Sequence, residues 1–142
     1  MTLENLWAIN RLHRLEPDHA AIRRLLVSAE SSLADAGVPR LTAASRFDLA
    51  YKSIMQCAMA ALWSCGYRTV SSQPGHHQTA IQVLPKTAGV RPETIIVLDA
   101  LRKQRNLCDY EGNDVPQAML EECLSRAADL LEEVRSRIAK PR

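Results

Sequence analysis

The sequence predicts an all-α protein, an antiparallel bundle of five or six helices. Three observations carry that expectation. Aliphatic residues recur at helical spacing along most of the 142 residues. Alanine and leucine abound, whereas there is one Phe and there are two Trp, so small and aliphatic side chains must fill the core. β-Branched clusters are confined to Thr69-Val70 and Ile95-Ile96-Val97.

The first segment, about residues 2–14, places Leu3, Leu6 and Trp7, then Asn10 or Arg11, on neighbouring turns of a helix. Pro17-Asp18 interrupts it and can start the next helix, because proline is tolerated where helical N–H groups lack partners. From about 18 to 36, the residues Ala21, Ile22, Leu25, Leu26, Ala29, Leu33 and Ala36 form one stripe. Gly37 is expected as a left-handed stop, with Pro39 preventing resumption. The third segment, about 43–65, has the widest apolar face: Phe47, Ala50, Ile54, Cys57, Ala58, Ala61, Leu62 and Cys65. Its many small residues admit close neighbours, which marks it as the central helix, ended by Gly66.

Residues 67–76 are polar and contain Pro74-Gly75, so they predict a loop. A short helix at about 76–84 stops before Pro85, and 85–92 form a second loop. The β-branched run at 95–97 continues into Leu98, Leu101 and Arg105 at helical spacing, which predicts a helix over about 92–109. Glu111 to Asp114 form a turn. Asp114 with Gln117 resembles a capping box, with Pro116 in the first turn. The last helix, about 115–139, carries the stripe Leu120, Cys123, Leu124, Ala127, Leu130, Leu131, Val134 and Ile138. Glu121-Glu122 and Glu132-Glu133 lie on its solvated face. No repeat or linker divides the chain, so residues 1–142 are expected to form a single domain.

The net charge of +2 excludes a broad cationic surface of the kind that coats nucleic acid. Any basic site must be local. Four basic residues and no acid lie between Arg135 and Arg142, where cations suit a helix C-terminus. The four cysteines, at 57, 65, 108 and 123, include no C-x-x-C pair and no zinc-like Cys/His spacing, so they read as small buried thiols. No metal site and no cofactor are expected. The N-terminal residues lack the basic and apolar regions of a signal peptide, and no run of 18 apolar residues occurs. A cytoplasmic protein without a membrane span is the expectation.

The chemistry concentrates in Leu101 to Tyr110. On a helix, Leu98, Leu101, Arg105 and Cys108 share one face, and Arg102, Arg105 or Asn106, and Asp109 share another. Arg105 stands where the two meet. Its stem can pack on the core while its guanidinium reaches a groove. An arginine fork suits phosphate or carboxylate, and Asn106 adds an amide donor and acceptor. The residues also admit a purely structural account: an Arg105–Asp109 pair joined by Arg102, Asn106 fixing the following turn, and Tyr110 burying its ring.

The order of three features resembles the HEPN superfamily of small helical bundles. They are the alanine-rich stretch from Tyr51 to Gly66, Gly75-His76-His77, and Arg105-Asn106 with Asp109-Tyr110. The similarity covers about residues 40–138. It implies a homodimer packed through these helices about a two-fold axis. It also implies a link to metal-independent ribonucleases, often toxins of toxin–antitoxin or other defence systems. Their motif is Arg, four to six residues, then His. Here the corresponding positions are Tyr110, Glu111 and Gly112, and no histidine follows. A tyrosine, with an ordinary pKa near about 10, is a poor general base at neutral pH.

The leading expectation is therefore a HEPN-like binding module without ribonuclease catalysis. Arg102, Arg105, Asn106 and Tyr110 would line a groove for RNA or a nucleotide, and a partner protein from the same operon is another candidate ligand. A second expectation is a divergent metal-independent endoribonuclease using Arg105 with Tyr110, His76 or His77. Adjacent histidines point about 100° apart on a helix and form no i,i+4 metal clamp; as structural residues they would cap or pack a loop. His13 and His19 read as surface or capping residues. A third expectation is a structural or adaptor bundle with an exposed apolar patch.

Overall fold

The computed structural model describes residues 2–139. These residues form an all-α bundle of seven helices with one two-stranded ribbon. Helix α1 spans Leu3–Ala8, with the Thr2 hydroxyl accepting from Asn5 N–H at its start. The expected continuation to residue 14 does not form. Asn10 adopts a left-handed φ of 62°, which breaks the helix. The chain then enters strand β1, Leu12–Arg14, which pairs antiparallel with strand β2, Tyr67–Thr69. Thus part of the polar segment expected as a loop is a strand, and its partner lies in the segment expected as helix. Leu12 explains the exchange: in the ribbon it is buried beside Leu62 and Val83.

Helix α2, His19–Ala36, follows the expected stripe. Asp18 caps it by accepting from the Ala20 and Ala21 N–H groups at 3.0 and 3.2 Å. Gly37 ends it, but with a right-handed φ of −82°, not in the left-handed region. Helix α3, Ala43–Ser64, is the central helix. It is packed against α2 along most of its length and touches nearly every later element. Ser53 donates to the Ala29 carbonyl across the α2–α3 contact at 2.8 Å, so even its buried hydroxyl is satisfied.

Helix α4 covers His76–Gln82. The expected second loop begins with one more helical turn, α5 at Leu84–Thr87, which holds Pro85 in its first turn. Proline's missing N–H has no intrahelical partner to lose there. Helix α6 runs over Pro92–Glu111 and ends at Gly112, whose left-handed φ of 69° reverses the chain. Helix α7, Gln117–Ala139, starts two residues later than expected. The Pro116 carbonyl accepts from the Leu120 N–H, and no side-chain cap from Asp114 forms. Lys140 and Arg142, two of the four terminal cations, lie outside the described residues. One main core joins α2, α3, α6 and α7 through residues such as Ile22, Phe47, Ile54, Leu98, Leu120 and Val134.

None of the four cysteines forms a disulfide. Cys57 and Cys123 are buried, and burial pushes both thiols up to about 12. Cys65 and Cys108 are only half-buried, so the expectation of four buried thiols holds for two of them. Among the described residues no helix is long and apolar enough to cross a membrane.

Candidate functional site

Helix α6 buries only Leu98 and Leu101 among its side chains. That narrow apolar seam sets it on the bundle and turns the adjoining polar stripe toward α3 and α4, both of which it contacts. The side chains gathered there come from three helices, two of them distant in sequence from α6.

Arg105 occupies the boundary between core and solvent, with 30% of its side chain exposed. Its guanidinium carbon lies 5.4 Å from the centre of the Tyr51 ring on α3, a cation–π arrangement. Its Nε lies 2.9 Å from Asp109 Oδ2, one helical turn on, and 3.6 Å from Asp48 Oδ1 on α3. The 2.9 Å approach is an ion pair without hydrogen-bond alignment, because Nε remains buried and without a hydrogen-bond partner. Arg102 pairs with a different carboxylate. Its Nε donates to Asp99 Oδ1 at 2.9 Å, and Lys103 Nζ approaches the other Asp99 oxygen at 3.4 Å. Burial opposes ionisation of Asp99, but the hydrogen bonds and charges of Arg102 and Lys103 outweigh it and hold the carboxyl below the usual carboxylate range.

Asn106 is half-buried beside Arg102 and makes no side-chain hydrogen bond among the described residues. The turn after α6 is held instead by Gln104, which donates to the Asp114 carbonyl at 3.3 Å. Tyr110 stands apart. It lies about 140° around the helix from Arg105 and is 82% exposed. The buried placement expected for its ring is not found.

His76 and His77 open α4, with their rings edge-to-face at 4.5 Å. The His77 imidazole is held below its ordinary pKa, first by burial, then by the charges of His76, Arg105 and Arg102. His77 is thus close enough for both α6 guanidiniums to act on it, a proximity that its distance in sequence conceals. Beneath them, Tyr51 is 3% exposed, and its hydroxyl has no hydrogen-bond partner. Burial pushes that phenol up to about 12, against the lowering pull of Arg105 and Arg102. A phenol shifted upward is a weaker acid still, so Tyr51 is no substitute for a missing base.

Sequence reasoning missed Tyr51, Asp48 and Asp99 as members of this cluster. A lone tyrosine within an alanine-rich helical face was the available signal for the first, since small neighbours leave an aromatic ring room to underlie a partner. Nothing in the spacing placed Asp48 opposite residue 105. Taken together, the two arginines and Lys103 face three carboxylates, Asp48, Asp99 and Asp109, so the cluster is close to neutral. No group of three or more His, Cys, Asp or Glu among the described residues is arranged to hold a metal ion.

No protein-family model matches the chain, and no curated protein matches it.

The outer side of α6 differs in character. Ile96, Ala100, Lys103, Leu107 and Tyr110 follow one another at intervals of three and four residues, and all are exposed. Ile96 is 73% and Leu107 39% exposed. Four of these five side chains are wholly or mainly apolar in area, and they form an unpartnered stripe along the helix.

Proposed function

We propose that this chain is a HEPN-like, non-catalytic binding module that pairs with a second copy of itself through the outer face of α6. The observation that carries this reading is the exposed stripe Ile96, Ala100, Leu107 and Tyr110 on a helix that buries only two side chains. A helix seated by so narrow a seam gains from a second packed face. A stripe at three- and four-residue spacing suits helix-to-helix packing about a two-fold axis. Lys103 in its middle can lay its stem along the apolar surface while its amine stays with Asp99.

Phosphate recognition at Arg102, Arg105 and Asn106 is the weaker part of the expectation. An RNA or nucleotide phosphate would have to displace Asp99, Asp48 and Asp109 from the guanidiniums that they already neutralise. A protein partner in a toxin–antitoxin or defence setting, which the HEPN resemblance implies, would dock on the assembled dimer. The endoribonuclease reading keeps one specific support, the influence of Arg105 and Arg102 on His77. It predicts that purified protein cuts RNA without metal and that His77→Ala and Arg105→Ala each abolish cleavage. An inert protein removes it.

Sedimentation equilibrium tests the leading reading. The wild-type chain is expected as a dimer, and Ile96→Asp with Leu107→Asp as a monomer with unchanged helical content. A monomeric wild type, or a dimer indifferent to both substitutions, would sink the proposal.

A further inference from the structure

A separate cavity of about 340 Å³ lies between α3, the β1–β2 ribbon, the segment after β2, and α4. None of Arg102, Arg105, Asn106 or Tyr110 lines it. Its size falls at the lower end of the roughly 300–1,000 Å³ typical of small-molecule sites. Its walls divide by chemistry. Met55, Met59 and Trp63 of α3 form an apolar side. To the same lining, the ribbon contributes Arg68 and His13, and α4 contributes His76 and His77. The pairing explains why two of these meet, since His13 and Arg68 are directly opposed across the strands and cross-strand partners share a face. The lining contains no Asp or Glu.

Arg68 sets this place apart from the arginines of α6. It forms no ion pair among the described residues, and its guanidinium carbon lies 5.6 Å from the centre of the Trp63 ring. A guanidinium over an indole, with no carboxylate to neutralise it, retains its whole charge and its donor fork. Ser71, also in the lining, adds a hydroxyl donor. The methionine and indole side chains can therefore meet a flat ring beside the guanidinium, and the charged and polar side chains of the lining include no anion to repel what the ring carries.

We propose that this cavity binds a small aromatic anion, its ring against Trp63, Met55 and Met59 and its carboxylate or phosphate held by Arg68 with the neighbouring histidines. The site is independent of the α6 dimer reading and stands or falls separately. An unneutralised fork favours a charged head strongly, because a hydrogen bond between charged groups contributes about 1.5–3 kcal/mol, or about tenfold or more in affinity.

Isothermal titration calorimetry with benzoate, phenyl phosphate, benzyl alcohol and inorganic phosphate tests it, alongside Trp63 fluorescence in a Trp7→Phe background. Saturable binding of benzoate or phenyl phosphate with a change in Trp63 emission is expected, and which of the two binds tighter identifies the head group. Benzyl alcohol and inorganic phosphate are expected to bind at least about tenfold more weakly, since each lacks one half of the recognition. Arg68→Ala should lower affinity by a similar factor, and Arg126→Ala, on α7 and outside the lining, should leave it unchanged. Arg68 and Ser71 are exposed, so their replacement spares the core. Ser71→Glu, which sets a carboxylate in the lining, should also abolish binding while circular dichroism stays unaltered. Failure of both aromatic anions to bind, equal binding of benzyl alcohol, or indifference to both Arg68→Ala and Ser71→Glu would overturn the proposal.

Discussion

Helices α3 and α6 are nearly equal in length, 22 and 20 residues, yet α3 buries eleven side chains and α6 two. The difference lies in the size of their residues and in how many neighbours each can reach. Ala50, Ala58, Ala60 and Ala61 of α3 are all at or near zero exposure, so helices and ribbon approach it from several sides. Helix α6 has long polar side chains beside its leucines, and these hold other elements off. One helix is consumed by the fold. The other is secured by a seam and leaves its outer face open to solvent.

Matched truncations in the two helices should expose this contrast most sharply. Ile54 of α3 is fully buried, and Ile54→Ala removes methylene groups from a packed site with no easy collapse. A loss of about 2–5 kcal/mol is expected in a denaturant unfolding experiment. Ile96→Ala on α6 deletes the same atoms from a side chain that is 73% exposed. Measured at concentrations where the chain is monomeric, its effect should stay within about 0.5 kcal/mol. Similar losses at both positions would mean that α6 is buried to the same degree as α3, and the comparison would fail.

The same contrast accounts for what the sequence disclosed. Stripes of aliphatic residues made α2, α3 and α7 legible almost to the residue, because a long helix repeats its core face many times. The ribbon was hidden for the opposite reason. Strands of three residues, Leu12–Arg14 and Tyr67–Thr69, are too short to show alternation, and their pairing depends on a contact across more than fifty positions. At the candidate site, Arg105 with Asp109 was visible because both lie on one helix. The approach of Asp48 and Tyr51 was not, since both belong to another element and only packing brings them near. The HEPN resemblance directed attention to Arg105 and to the two histidines, whereas the cavity beside Arg68 lies in the segment expected only as loop.

A finer probe of the boundary between the two helices is Tyr51. Its ring serves the core and its hydroxyl lies orphaned beneath Arg105. Tyr51→Phe keeps the ring and removes an oxygen that lost its water on folding. Stability is expected to be unchanged or to rise by up to about 1 kcal/mol, because an unsatisfied buried hydroxyl carries a desolvation cost without a compensating bond. A loss greater than about 1 kcal/mol would show that the hydroxyl has a partner in solution, and the α3–α6 contact would then be a polar junction and not a cation over a ring.

The smallest expected effect concerns pH and tests whether α6 reaches α4 electrostatically. Burial, His76, Arg105 and Arg102 all disfavour the protonated form of His77 in the folded chain. In the unfolded chain its imidazole takes up a proton near the ordinary value of about 6.5. The unfolded state thus binds more protons as pH drops through about 6.5, and stability must fall with it until the folded imidazole protonates as well. His77→Asn removes this contribution. The variant's stability should decline less steeply than the wild type's below about pH 6.5, with the two curves parallel above it. Arg105→Gln should narrow the same gap only in part, since burial is the larger cause and would persist. Parallel curves for wild type and His77→Asn across the acid range would mean that His77 titrates as a solvated imidazole. In that case α6 would exert no charge on α4, and the ribonuclease reading would lose its one support.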